Sequence, residues 1–64
     1  MLDGAKIRSL RISADMTAEE LGLKVGLRPT MISFIENEVK PTNTEKAQLL
    51  AKALGVTVND LLRD

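Results

Sequence analysis

Cysteine and histidine are absent from this 64-residue chain, and so are tryptophan and tyrosine. Without cysteine and histidine, disulfide scaffolding, thiol catalysis and the usual zinc sites are all excluded. Phe34 is the only aromatic residue, so a core must be built from aliphatic side chains. No apolar run approaches the roughly 20 residues of a membrane span, and the first residues lack the charged start and apolar stretch of a signal peptide. We therefore expect a cytoplasmic protein with no membrane partner.

A surplus of charge of either sign is also absent, because nine basic side chains balance nine acidic ones. DNA-binding domains commonly carry a basic surplus, so this balance argues against a strongly electrostatic partner. The charges are nevertheless unevenly placed. No acidic residue lies between Glu20 and Glu36, whereas Lys24 and Arg28 both fall within that window. A thin basic strip on a neutral protein is therefore compatible with the sequence.

Capping signals divide the first half of the chain into short helices. Asp3 is a good N-cap for a helix over residues 3–13, and Asp15 follows where a left-handed residue is expected. Thr17 and Glu20 form a capping box that begins a second helix. Gly26 ends that helix, because glycine adopts positive φ at little cost. No stretch alternates with period two for long enough to predict a strand.

The second half of the chain contains the same kinds of signal. Pro29 favours the first position of a third helix over about residues 29–37. A capping box at Thr42 predicts a fourth helix, and a box at Thr57 predicts a last turn or two. The expected fold is therefore all-α, a compact five-helix bundle forming a single domain over residues 1–64. Its predicted core consists of Leu10, Leu21, Val25, Ile32, Ile35, Leu50 and Leu54.

The second and third helices carry the functional information. Two helices of about eight residues, joined by a turn that begins at Gly26, form a helix-turn-helix. In this motif the first helix braces the second, which can then lie in a DNA major groove wide enough for an α-helix. Bracing requires apolar residues at fixed places and a small residue where the helices cross. The residues at those places are Leu21, Gly22, Val25, Gly26, Leu27, Ile32 and Ile35.

With these residues in register, the chain resembles the phage-repressor family of helix-turn-helix proteins, the Xre-like or lambda-repressor-like type. Residues 6–11 resemble the family's first helix, residues 35–37 the end of its third, and residues 51–58 the end of its fourth. The resemblance implies a non-enzymatic, sequence-specific regulator that binds double-stranded DNA. It further implies a homodimer that acts as a repressor on a two-fold operator. It implies no cofactor, no metal ion and no small-molecule ligand.

The resemblance also implies roles for single residues. Arg11 and Glu36 match positions that form a structural ion pair, which agrees with the place of Arg11 on an apolar helix face. Thr17 and Asn37 match phosphate-contacting positions, and Arg28 and Lys40 are further candidates for phosphate contact. The positions that would contact bases are Pro29, Thr30, Ser33 and Phe34. Family analogy makes the remaining apolar surface a dimer contact formed by Val58, Leu61 and Leu62.

Some residues depart from the family's pattern. Ala18 stands where the family usually has Gln, and Glu38 replaces a common Gly and is expected to place a carboxylate near the DNA backbone. Phe34 is expected to be exposed, where it would press against a thymine methyl group. The alternative is that this lone aromatic residue belongs to the core. These departures and the zero net charge keep a second class open, a helix-turn-helix fold used as a protein-interaction module such as an antirepressor or adaptor.

Overall fold

Four α-helices and one short 3-10 helix make up the computed structural model, which describes residues 2–39 and 42–63. The α-helices are α1 (Gly4–Ser13), α2 (Ala18–Val25), α3 (Pro29–Glu36) and α4 (Thr44–Leu54), and the 3-10 helix is Val58–Leu61. The all-α prediction is confirmed, but the fifth helix is one 3-10 turn rather than an α-helix. It ends because Leu62 takes up an extended backbone and bridges to Leu2. In the described part of the chain, no helix is long and apolar enough to cross a membrane.

The first two helices begin at their predicted caps. The Asp3 carboxylate accepts hydrogen bonds from the amides of Ala5 and Lys6, at 3.0 and 3.3 Å. Thr17 and Glu20 bond reciprocally, each side chain accepting from the other residue's amide at 3.0 Å. These bonds satisfy amides that lack partners within the helix, so the starts of α1 and α2 are confirmed.

The start of α4 differs from the prediction by one residue. Asn43, rather than Thr42, is the N-cap, and its side-chain oxygen accepts a hydrogen bond from the Lys46 amide at 2.8 Å. Asn is a somewhat better N-cap than Thr, and the helix accordingly begins at Thr44. The box at Thr57 forms as predicted.

Asp15 ends α1 in the left-handed conformation, as predicted, with φ 57°. Its amide donates to the carbonyl oxygen of Ile12 at 3.0 Å, and the amide of Met16 donates to that of Arg11 at 3.1 Å. This pair of bonds is the Schellman pattern, which satisfies carbonyl groups at a helix end. It turns the chain sharply toward α2.

An aliphatic core holds the helices together. Leu21, Ile32 and Ile35, which define the register of the helix-turn-helix, are at most 4% exposed. Leu10 and Leu54 were predicted to be in the core, but they are half-buried and pack against the buried cluster. The buried cluster consists of Ile7, Leu21, Val25, Ile32, Ile35, Leu50, Ala51 and Leu61.

Gly22 sets the close approach between α2 and the turn that follows it. A Cβ atom at this position would lie 2.3 Å from the carbonyl oxygen of Leu27. The Leu27 amide also donates to the Gly22 carbonyl at 2.9 Å, and Gly26 between them has φ 73°. A larger residue at position 22 would push the turn away, and α3 with it.

Candidate nucleic-acid interface

Helix α3 has one buried side and one solvent-facing side. Ile32 and Ile35 point into the core, whereas Thr30 and Ser33 are exposed. Because α2 packs against α3, the orientation of α3 about its own axis is fixed. Its exposed side therefore faces one defined direction. The helix therefore presents short polar side chains to solvent from a rigid support.

Phe34 is half-buried, and this matches neither of the two alternatives that the sequence left open. It is not among the side chains packed against the core cluster. Its carbonyl oxygen accepts a hydrogen bond from the amide of Val39 at 2.9 Å, and the Val39 side chain is 64% exposed. Phe34 and Val39 therefore lie near each other at the end of α3, outside the core.

Asn37 and Ser33 are brought together on the exposed side of α3. The Asn37 side-chain amide donates to the Ser33 hydroxyl at 3.3 Å, and both residues are exposed. Asn37 is the C-cap of the helix rather than its last residue. Its side chain is therefore oriented by α3 but is accessible to a ligand.

The start of α3 has an N-cap residue whose side chain does not cap the helix. Arg28 occupies the N-cap position with an extended backbone, and no side chain within the described residues caps the helix there. Pro29 at the first position has no N–H group to satisfy. The positive end of the helix dipole and the exposed Arg28 guanidinium therefore lie at the same place, which is a suitable environment for an anion.

An ion pair ties α1 to the end of α3. The Arg11 guanidinium donates to the two carboxylate oxygens of Glu36, with Nε–Oε2 at 2.6 Å and Nη2–Oε1 at 3.1 Å. Its Nη1 also donates to the carbonyl oxygen of Met16 at 2.9 Å. The side chains of Arg11 and Glu36 are 14% and 5% exposed. The hydrogen bond to Glu36 raises the pKa of Arg11, burial lowers it by a smaller amount, and Coulombic attraction to Glu36 raises it further.

Glu38 has partners within the protein that the sequence did not indicate. Its carboxylate accepts a hydrogen bond from the Gly4 amide at 3.2 Å and pairs with the Arg63 guanidinium. The carboxylate is thus engaged within the protein while Glu38 stays exposed, and its expected place near a DNA backbone stays a prediction.

Gly4 has a structural role that the sequence reasoning missed. A Cβ atom there would lie 2.2 Å from the carbonyl oxygen of Glu36 and 2.7 Å from that of Ile35. The start of α1 thus rests directly on the last carbonyl groups of α3. The available signal was a glycine immediately after a capping Asp, in place of a better helix former.

The remaining predicted residues lie elsewhere. Thr17 and Pro29 are exposed at the starts of α2 and α3, and Lys40 lies outside the described residues. Leu61 is 0% exposed, so its place in the predicted dimer contact is corrected: its side chain fills the core and offers no surface to a second copy. Val58 and Leu62 are half-buried.

Comparison with known proteins identifies the family. A sequence profile of the helix-turn-helix family matches residues 7–61. The chain belongs to the helix-turn-helix family. The P22 c2 repressor, solved in complex with a synthetic operator, is 32% identical over 98% of this chain and 96% of its own, with a TM-score of 0.90. The clp gene regulator ClgR of Corynebacterium glutamicum is 31% identical over 91% of this chain and 62% of its own, with a TM-score of 0.87.

Two other solved structures are similar to this chain. The restriction-modification controller protein C.AhdI of Aeromonas hydrophila shares the fold, with a TM-score of 0.89 and 24% identity over 92% of this chain and 89% of its own. HEPD of Streptomyces albus, solved with 2-hydroxyethylphosphonate and Fe(II), is 30% identical over 92% of this chain but over 13% of its own, with a TM-score of 0.83. No curated protein sequence matches. By its family and its repressor neighbours, this chain is a helix-turn-helix protein and not an enzyme.

Proposed function

We propose that this chain is a DNA-binding transcriptional regulator that places α3 in the major groove. The observation that carries the proposal is the braced, two-sided α3, with Ile32 and Ile35 buried against α2 while Thr30 and Ser33 face solvent. A major groove admits an α-helix whose outward side chains reach base edges. The likeness to the P22 c2 repressor, itself solved with an operator, supports the same use of the fold here.

The zero net charge does not oppose this function, because acidic groups near α3 are engaged within the protein. Glu36 is buried against Arg11, and the Glu38 carboxylate is paired with Arg63. Lys24 and Arg28 remain exposed beside α3. The local potential at the start of α3 is therefore expected to be positive, which favours contact with phosphates.

The side chains divide into two groups by their expected roles. We assign phosphate contacts to Thr17, Arg28 and Asn37, and from the sequence alone to Lys40; these contacts would hold the protein in register on the duplex. Those placed to contact base edges are Pro29, Thr30, Ser33 and Phe34. Among the second group, Phe34 is suited to a thymine methyl group, because this aromatic side chain on α3 is only half-buried.

We further propose that the protein is a cytoplasmic homodimer that represses transcription by binding a two-fold operator. Residues 1–64 would form one domain of each subunit. Val58 and Leu62, which are half-buried, are the remaining candidates for the dimer contact. A dimer doubles the number of base contacts, and the spacing of its two α3 helices sets the spacing of the half-sites. Sedimentation with and without an operator duplex tests the dimer.

The decisive experiment is a duplex titration followed by fluorescence anisotropy, using sites selected from a random duplex pool, from about 50 to 200 mM salt. Arg28→Ala should weaken binding to every duplex. It should also make the negative slope of log K against log salt shallower by about 0.9, the contribution of one phosphate contact. Lys52→Ala, an exposed cation in the last turn of α4, is the matched control and should leave the slope unchanged. A folded protein that binds no duplex at the lowest salt would rule out the proposal.

A second candidate is a protein-interaction module, which two observations favour. Leu23 on α2 is 79% exposed, and the same fold forms a small part of HEPD, a much longer chain. Single exposed apolar residues are common on monomeric proteins, so this candidate ranks below DNA binding. The same titration separates the two candidates, since Leu23→Ser would leave duplex binding unchanged if α3 is the functional surface.

A further inference from the structure

We propose that Glu38 is a positioning residue for DNA binding: its carboxylate fastens the end of α3 to the start of α1 and so fixes the direction in which α3 presents Asn37. This inference rests on the DNA-binding function proposed above. It reverses the role that the sequence suggested for Glu38, that of a negative charge facing a phosphate backbone.

The backbone of Glu38 is in a conformation that its side chain disfavours. Its φ is 57°, in the left-handed region where a Cβ atom approaches the following carbonyl group. Its amide donates to the Ile35 carbonyl at 3.2 Å and the Val39 amide to the Phe34 carbonyl at 2.9 Å, which closes α3 in the Schellman pattern. Glycine suits this position better than glutamate, but the glutamate side chain makes contacts with Gly4 and Arg63 that glycine cannot make.

The Glu38 carboxylate completes the N-terminal cap of α1. The first amides of an α-helix have no partners within it. Asp3 accepts from the amides of Ala5 and Lys6, and Glu38 accepts from the amide of Gly4, so the first three amides of α1 are all bonded to carboxylates. A negative charge at this end is also favoured by the helix dipole. The residue that completes the cap is 34 positions away in the chain.

The end of α3 is thereby held on α1 at two places. Gly4 lies so close to the last carbonyl groups of α3 that a Cβ atom there would be 2.2 Å from the Glu36 oxygen. About two turns further along α1, Arg11 donates two hydrogen bonds to the Glu36 carboxylate. A helix fixed at two places cannot rotate about its own axis without breaking one of them. Asn37 directly follows this end of α3, and the hydrogen bond from the Gly4 amide to Glu38 holds α1 at the first of the two places, so the direction of Asn37 depends on that bond.

A matched pair of glycine substitutions tests the proposal. Asp15 and Glu38 have the same φ of 57° and close α1 and α3 in the same pattern. Asp15→Gly and Glu38→Gly therefore relieve the same backbone strain, but only Glu38→Gly removes the carboxylate that bonds the Gly4 amide and pairs with Arg63. At fixed salt and under conditions where circular dichroism shows each variant folded, we expect Asp15→Gly to bind an operator duplex like the wild type. Glu38→Gly should bind about 3- to 10-fold more weakly, the net effect of losing one such contact, with an unchanged salt slope.

Two further measurements separate positioning from charge and from stability. Glu38→Gln retains an oxygen that can accept from the Gly4 amide and should recover most of the affinity. Hydrogen exchange at the Gly4 amide, measured without DNA, should be faster in Glu38→Gly than in the wild type. A Glu38→Gly variant that binds more tightly with a steeper salt slope would show a repulsive charge and overturn the proposal.

Two remaining outcomes distinguish failure of the positioning role from failure of the proposed DNA-binding function. Equal affinities for Glu38→Gly and the wild type overturn the positioning role alone, because the wild type still binds. A wild type that binds no duplex overturns the proposed function and the positioning role together, and the exchange of the Gly4 amide then reports whether the contact itself exists.

Discussion

Removal of the Glu36 carboxylate is the perturbation with the largest expected effect on stability. In Glu36→Ala, the Arg11 guanidinium, whose side chain is 14% exposed in the intact pair, loses hydrogen bonds of 2.6 and 3.1 Å and is left with an uncompensated charge. Breaking a buried ion pair by deleting one partner typically costs about 3–5 kcal/mol. A 64-residue domain has a total stability of about 3–10 kcal/mol. The variant is therefore expected to be close to unfolding at 25 °C.

The assay is urea unfolding at neutral pH followed by far-ultraviolet circular dichroism. With a slope of about 1 kcal/mol per molar urea for so small a domain, a loss of about 3 kcal/mol lowers the midpoint by about 3 M. The pKa of Arg11 is raised in the folded chain, so its stabilising contribution is complete below its unfolded pKa. That contribution is lost only as the pH rises through the folded value, in strong alkali. Neutral pH therefore measures the whole effect.

Two control variants identify the cause of the loss. Arg8→Ala removes an exposed cation from the same helix and should change the free energy of unfolding by less than about 0.5 kcal/mol. The double variant Arg11→Met with Glu36→Leu replaces the pair by apolar side chains and should recover much of the loss, because no unpaired charge stays buried. If Glu36→Ala and Arg8→Ala unfold at the same urea concentration, the inference that this pair ties α1 to α3 is wrong.

Three smaller perturbations test other parts of the structure. Phe34→Ala should lose discrimination at one base pair, about 1–3 kcal/mol, and retain nonspecific binding; equal losses on all duplexes would contradict base contact. Gly22→Ala should destabilise the fold by about 1–3 kcal/mol in a thermal melt, because its Cβ would lie 2.3 Å from the Leu27 carbonyl. Asn43→Ala should lower the free energy of unfolding by about 1 kcal/mol and Thr42→Ala by less, because Asn43 caps α4. A larger loss for Thr42→Ala in the same melt would show that Thr42 is the N-cap, as the sequence predicted.

Local signals explain why so much of the fold could be predicted from the sequence. Capping boxes involve residues three apart, and the turn at Gly26 requires only one residue with positive φ, so both are visible in a short window. The inward positions of Ile32 and Ile35 follow from helical periodicity once Pro29 fixes the start of α3. These features determined the bracing of α3, and the structure reproduces them.

The features that sequence reasoning missed depend on contacts between distant residues. Glu38 and Gly4 meet only because α1 crosses the end of α3. The glycine after Asp3 is a local signal for a close approach, but no local pattern identifies Glu38 as its partner. Family analogy assigns Leu61 to a dimer contact on the surface. The bridge between Leu2 and Leu62 instead draws the turn containing Leu61 onto the core. Periodicity cannot decide burial for a helix of a single turn.

The formal net charge of this chain gives little information about its affinity for DNA, because charge acts through its position. A pair such as Arg11 with Glu36 cancels locally and contributes little to the potential beyond its own neighbourhood. A carboxylate bound to the amides at a helix start, such as that of Asp3, faces a compensating dipole. A duplex approaching α3 responds mainly to the cations within a Debye length of its phosphates, which here include Arg28. Neutral proteins of this size can therefore be DNA-binding proteins whenever their acidic groups are engaged in capping and pairing away from the binding surface.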